Sequence, residues 1–197
     1  MHRTFVRSAL TKDDHLTEFV KAVSQTPTNN VHDMKHKRKH IGDTWEDFCA
    51  DYLVTIAEYT RAIKLAEVSA DQLELYGLKK RDVGIDMIAF DKMGNPTAVQ
   101  CKFRTRGAVS WRELATFEAL CNRTGPWKKH LVMTNQKKLQ REGSLNMKDA
   151  EITRKDLSKM ERHHWMLLAG MSAGNILGGT VSNRLAWLDR IDTLGKR

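Results

Sequence analysis

The clearest apolar pattern along the chain begins just after residue 43. Trp45, Phe48, Cys49, Tyr52, Leu53 and Ile56 recur at i, i+3, i+4, i+7, i+8 and i+11, which draws one apolar stripe down a helix. Asp43 stands where an N-cap belongs, and Glu46 follows three residues on, so the pair reads as a capping box. The helical pattern fades toward Ala66, and a short strand is expected near Leu73–Tyr76, closed by Gly77. The runs Val83–Phe90 and Thr97–Phe103 predict two strands. Between them, Asp91-Lys92-Met93-Gly94-Asn95-Pro96 has the composition of a tight turn, so the two strands form a hairpin.

Ser110 followed by Glu113 is a second capping-box signature. It opens a helix to about Cys121, with apolar positions at Trp111, Leu114, Ala115, Phe117, Leu120 and Cys121. After Gly125-Pro126, the run His130–Thr134 reads as a buried strand. Residues 139–168 are mostly charged and helix-favouring, and a last helix is expected near Val181–Leu194. Upstream, a short amphipathic helix is expected from about Asp13 to Val23, ending before a turn at Thr26-Pro27-Thr28-Asn29-Asn30.

This order of elements predicts an α/β fold with a small mixed β-sheet flanked by helices. The division that follows is a helical N-terminal arm over 1–31, a core over 32–136 and a helical C-terminal extension over 137–197. The 197 residues are enough to bury a core without disulfides or structural metals.

Charge narrows the function. Thirty-three Lys and Arg oppose 24 Asp and Glu, for a net charge of +9 and a pI near 9.6. An excess of that size suits a polyanionic partner, above all nucleic acid. It is densest in Lys35-His36-Lys37-Arg38-Lys39-His40, which reads either as a DNA-backbone contact through Lys35, Lys37, Arg38 and Lys39 or as a solvated loop. Arg104 and Arg106 admit the same two readings. Cys49, Cys101 and Cys121 form no CxxC pair and sit in apolar surroundings, as buried thiols of a reducing compartment do. No run is long and apolar enough to span a membrane, which leaves an intracellular location as the expectation. Arg3 and Arg7 give the first ten residues a weak organelle-targeting character.

The hairpin carries the chemistry. Gln100 and Lys102 are two residues apart on a strand and share a face, with Cys101 on the other. Asp86 can meet them across the hairpin. An acid, an amide and a lysine gathered on paired strands suit phosphodiester hydrolysis. Asp86, the Gln100 side-chain carbonyl and the Cys101 main-chain carbonyl are hard oxygen donors for Mg²⁺ or Mn²⁺. Lys102 would orient water and stabilise charge on the phosphate. Alone, Gln100 and Lys102 would be ordinary edge-strand polars. Trp111 and Trp127 read as core, and the adjacent His163 and His164 as surface residues facing different ways.

Gly84-Ile85-Asp86 followed by Gln100-Cys101-Lys102 resembles the PD-(D/E)xK nuclease superfamily. The glutamine in place of an acid is similar to the Mrr-like branch, found in type IV restriction enzymes and in the nuclease domains of some restriction helicases. That branch also carries a glutamate on the first core helix, and Glu46 in Gly42-Asp43-Thr44-Trp45-Glu46 occupies the matching place. Ser110–Phe117 and His130–Asn135 resemble the following helix and strand, so the likeness covers about residues 40–136. It implies a restriction-endonuclease-like core and a Mg²⁺-dependent DNA endonuclease with Glu46, Asp86, Gln100 and Lys102 as its centre. Glu46 would join the metal ligands. A homodimer would suit double-strand cutting, and a helicase or translocase partner would suit a nuclease subunit. The other class of reading is a non-catalytic nucleic-acid-binding module that keeps the fold.

Overall fold

Alternation along residues 86–102 builds the centre of the fold. In the computed structural model, which describes residues 2–25, 34–79, 84–139 and 149–171, β2 (Met87–Phe90) and β3 (Pro96–Lys102) pair antiparallel. Met87 lies opposite Val99, and Phe90 opposite Pro96. Asp91 ties the turn, its Oδ1 accepting from the N–H groups of Met93 and Asn95 at 2.9 and 2.8 Å. Gly94 supplies the positive φ of 77° that the turn needs. The hairpin is the one expected, although β2 starts at Met87, and Val83 lies outside the described residues.

Three more strands complete a mixed sheet in the order β1-β2-β3-β4-β5. β1 (Arg61–Lys64) is antiparallel to β2. β4 (Lys129–Thr134) and β5 (Asp149–Ile152) continue parallel from β3. The α/β class and the small mixed sheet therefore hold. The first strand does not fall where expected: Leu73–Tyr76 is not a strand but largely the helix α4 (Ala70–Leu75), capped by Ser69, whose Oγ accepts from the Gln72 N–H at 3.4 Å. The sheet begins instead at Arg61, in the stretch read as fading helix. β5 likewise interrupts a segment expected to be helical throughout.

Period two sends alternate residues to opposite faces. Met87, Ala89, Val99, Leu131 and Met133 cover one face and pack on α3 (Met34–Thr55). Ile88, Ala98 and Val132 cover the other and meet Leu114 and Phe117 of α5 (Trp111–Arg123) and Leu73 of α4. On the α3 side, Phe48 is the hub of an aromatic cluster. Its ring lies 4.6 Å from Phe19, 5.2 Å from Trp45 and 6.0 Å from Trp165. Removing such a buried ring costs about 3–5 kcal/mol.

The helices from both ends of the chain share this cluster. α1 (His2–Ala9) buries Val6 and Ala9, and α2 (His15–Ser24) buries Leu16, Phe19 and Val23. α2 starts at the expected place, with Asp14 accepting from the Thr17 N–H at 3.0 Å. α6 (Arg154–Leu157) and α7 (Arg162–Leu168) add Leu157, Trp165 and Leu168. Arg3 and Arg7 are used in this packing. Arg3 donates to Asp51 at 3.1 Å and Arg7 to the Ala169 carbonyl at 3.1 Å.

α3 is longer than its apolar stripe. It starts at Met34, so Asp43 lies inside the helix and caps nothing. Glu46 is consequently not part of a capping box. The basic run forms the first turns of α3 rather than a loop, because Lys and Arg are strong helix formers. No described helix is long and apolar enough to cross a membrane. The turn at 26–30, residues 140–148 and the helix expected near 181–194 lie outside the described residues.

Candidate active site

Asp86 stands immediately before β2, with its backbone fixed on both sides. Its N–H donates to the Val99 carbonyl at 2.9 Å, and its carbonyl accepts from the Leu65 N–H at 2.8 Å. The chain reaches this point through Gly84, at φ +126°. A Cβ there would stand 3.0 Å from the Phe117 Cα, so both the conformation and the close approach to α5 require glycine.

The hairpin register then sets Asp86 on the same sheet face as Gln100. Gln100 Nε2 donates to Asp86 Oδ2 at 2.5 Å, and the Cys101 N–H donates to the same oxygen at 2.6 Å. Burial pushes the Asp86 carboxyl above its usual range, while the two hydrogen bonds and the charge of Lys102 pull it back. Gln100 is 2% exposed, and Lys102 is half-buried at the end of β3. The structure thus brings Asp86, Gln100 and Lys102 together, as the strand spacing required.

Cys101 points to the opposite face. Its thiol contacts that of Cys49 on α3, and burial raises both thiols. Cys49, Cys101 and Cys121 are all free thiols.

Glu46 approaches from α3, at the half-buried rim of the apolar stripe. Burial raises its carboxyl to about 7, and the negative charges of Asp86 and Asp43 push the same way. Asp86 therefore lies within electrostatic reach of Glu46. Among the described residues no hydrogen bond to the Glu46 carboxyl is seen.

Two neighbours of this centre escaped the sequence reading. Lys64 closes β1 and bonds Asp47 at 2.5 Å, and its charge lowers the Glu46 carboxyl. Nothing pointed to it, because β1 itself was not anticipated. Asn135 follows β4 and is 1% exposed. Its Oδ1 accepts from the Arg104 N–H, and its Nδ2 donates to the Arg104 carbonyl, both at 2.8 Å. Its side chain thus ties down the backbone two residues beyond Lys102, past the end of the β3–β4 pairing. The signal was a pair of amides, Asn135 and Gln136, ending an apolar strand; Gln136 Nε2 donates to the same Arg104 carbonyl at 2.8 Å.

The expected phosphate contacts divide. The Arg104 guanidinium pairs with Glu113, which also accepts from the Ser110 N–H at 2.9 Å as the predicted capping box requires. Arg106 is exposed, as are Lys35, Arg38 and Lys39, while Lys37 is half-buried. Trp127 is core, 3% exposed. His163 and His164 do not face apart: their rings lie 3.8 Å from one another on α7.

Asp86 is thus hydrogen-bonded to Gln100 and lies within electrostatic reach of both Glu46 and Lys102. The family follows from the sequence match to this region. The restriction endonuclease family, of the Mrr catalytic type, matches residues 56–167, more than half of the chain. This chain belongs to that family. The matched span contains Asp86, Gln100 and Lys102 and runs on through β5, α6 and α7, while Glu46 lies upstream of it. A solved structure of the ATP-dependent Type ISP restriction-modification enzyme LlaBIII bound to DNA is similar over 66% of the chain, with 21% identity and a TM-score of 0.45. The chain corresponds to 8% of that enzyme's length. No curated protein matches.

Proposed function

We propose that this restriction endonuclease family member is a Mg²⁺-dependent nuclease that cuts DNA. The observation that carries the reading is the hydrogen-bonded Asp86–Gln100 pair with Lys102 two residues on along β3. The net charge of +9 supports a polyanionic substrate.

The donor set fits a hard cation. Among the described residues no three Asp, Glu, His or Cys side chains form a cage. Mg²⁺ does not need one, since it is commonly held by one or two carboxylates with water and substrate phosphate. Asp86 and Glu46 would supply the carboxylates, with Gln100 and the Cys101 carbonyl as further oxygens. When bound, the cation (Mg²⁺, or Mn²⁺ in its place) supplies positive charge at the scissile phosphate and acidifies water.

The residues of the chain would divide the remaining work. Gln100 and the Cys101 N–H hold Asp86 in one orientation. Lys102 would place the attacking water and stabilise negative charge as phosphorus bonds to the water oxygen and releases one bridging oxygen. Glu46, whose carboxyl sits near neutral pH, would take or return a proton when no cation holds it. Arg106 would reach phosphates beside the cut.

The test is cleavage of plasmid and branched DNA with Mg²⁺, Mn²⁺ or EDTA, comparing wild type with Lys102→Ala. Metal-dependent nicking that disappears in the variant is the expected result. No cutting by either protein, with salt-sensitive binding by both, would favour a binding module. Cutting restored by an added helicase or translocase would favour a subunit. Sedimentation with and without DNA would test a homodimer.

A further inference from the structure

The first turns of α3 carry four cations in five residues, Lys35, Lys37, Arg38 and Lys39. Residues 35–40 read Lys-His-Lys-Arg-Lys-His, with no acid in the first turn. The N-terminal end of a helix carries the positive pole of its dipole, where acids are favoured and cations are not. Lys35 also repels Arg38 and Lys39, three and four residues along. Lys35, Arg38 and Lys39 are exposed, and none is in an ion pair with a described residue. A polyanion laid along this segment would relieve that repulsion.

Helix geometry gives the segment a direction. At about 100° per residue, Lys39 and Lys35, seven and eleven residues before Glu46, share its bearing to within about 20°. Arg38 flanks the line at about 80°, and Lys37 lies on the far side at about 180°. Gly42 stands between the cations and Glu46, and a Cβ there would meet nothing within 4 Å. The ridge is therefore open over this stretch, and it ends at Glu46 and the charge of Asp86.

We propose that the exposed ridge of Lys35, Arg38 and Lys39 on α3 is a rail for one DNA backbone, aimed at Glu46. The proposal rests on the nuclease reading for what lies at the end of the rail, and adds where the substrate strand runs. The rise of about 1.5 Å per residue sets Lys39 about 10 Å and Lys35 about 16 Å from Glu46 along the helix. At about 3.4 Å per nucleotide step, the rail holds phosphates some three to five steps from the cut. RNA and anionic lipid carry similar charge. Alignment with Glu46 favours the strand to be cut, and the excess of charge alone does not.

The experiment measures binding of the full chain to a fluorescent 30-base-pair DNA duplex in EDTA across a salt series. Wild type is compared with Lys35→Gln/Arg38→Gln/Lys39→Gln. Lys92→Gln, in the β2–β3 turn, serves as the control. Three lost phosphate contacts should reduce the slope of log K against log salt by about 2.7. The affinity gap between wild type and triple variant should then narrow about forty-fold between about 50 and 200 mM salt. The control should keep the wild-type slope. Equal slopes for wild type and triple variant would overturn the rail, as would absence of DNA binding by wild type. A larger change on an RNA duplex of equal length, or on phosphatidylserine vesicles, would overturn it as well. Cleavage is not read in this assay, so the two readings fail separately. A chain with the expected slope change that cuts nothing keeps the rail and loses the nuclease. A chain that cuts with Mg²⁺ but shows equal slopes does the reverse.

Discussion

Gln100 Nε2 donates to Asp86 Oδ2 across the hairpin at 2.5 Å, and the same oxygen takes the Cys101 N–H. An amide at position 100 therefore supports the buried carboxylate before any cation arrives. A second acid there would do the opposite, since two adjacent carboxylates repel each other until one of them takes up a proton. Gln100→Glu is expected to lower stability in EDTA by about 1–3 kcal/mol, the cost of losing a buried partner. Mg²⁺ should restore more than that loss, because the variant offers it one more charge. Thermal unfolding in EDTA and in Mg²⁺ checks both halves. An unchanged midpoint in EDTA would show that the amide does not support Asp86.

Gly84 sets the entry to this pair. A side chain at φ +126° is strained, and its Cβ would press on the Phe117 backbone, which has no rotamer to yield. Gly84→Ala should cost about 2–4 kcal/mol, read by urea denaturation. Gly42→Ala, in open space on a helix, should instead stabilise by about 0.5–1 kcal/mol. Equal effects at the two positions would mean that the contact with α5 is not as tight as 3.0 Å implies.

The contrast between these glycines also marks what could be read from sequence. The hairpin was legible because its two runs are adjacent and a turn sequence of fixed chemistry joins them. Strand parity then placed Gln100 and Lys102 together without any knowledge of the sheet. β1 was not legible: Arg61–Lys64 is four residues long with one large apolar side chain, and its strand character comes from pairing with β2. Leu73–Tyr76 has the look of a strand, but the Ser69 cap, visible in the sequence, decides for helix. β5 does alternate, with Ala150 and Ile152 toward the core, but four residues with one large apolar side chain are too few to stand out in a charged stretch. For α3, Asp43 after Gly42 mimicked a helix start, although the basic residues before it are good helix formers. Glu46 was placed on its helix correctly, and its neighbour Lys64, which bonds Asp47, was hidden with β1.

Glu46 gives a prediction with a definite sign. Its carboxyl sits near 7 in the folded chain, mainly through burial and then through Asp86, against an ordinary value of 4.5. Between about pH 4.5 and 7 the folded chain holds a proton that the unfolded chain has released, so stability falls as pH rises through that window. Above it the deficit is complete, and below 4.5 it is absent. Glu46→Gln removes the titration. The variant should therefore be more stable than wild type at pH 8, by about 1–2 kcal/mol after allowing for solvent screening at a half-buried site. The difference should shrink through pH 6 and vanish at pH 4. Urea unfolding in EDTA at the three pH values is the measurement, and parallel curves for the two proteins would refute the assignment. Mg²⁺ at pH 8 should reverse the order, because a cation bound by the Glu46 carboxylate turns the buried charge from a liability into a contact that Gln supports less well.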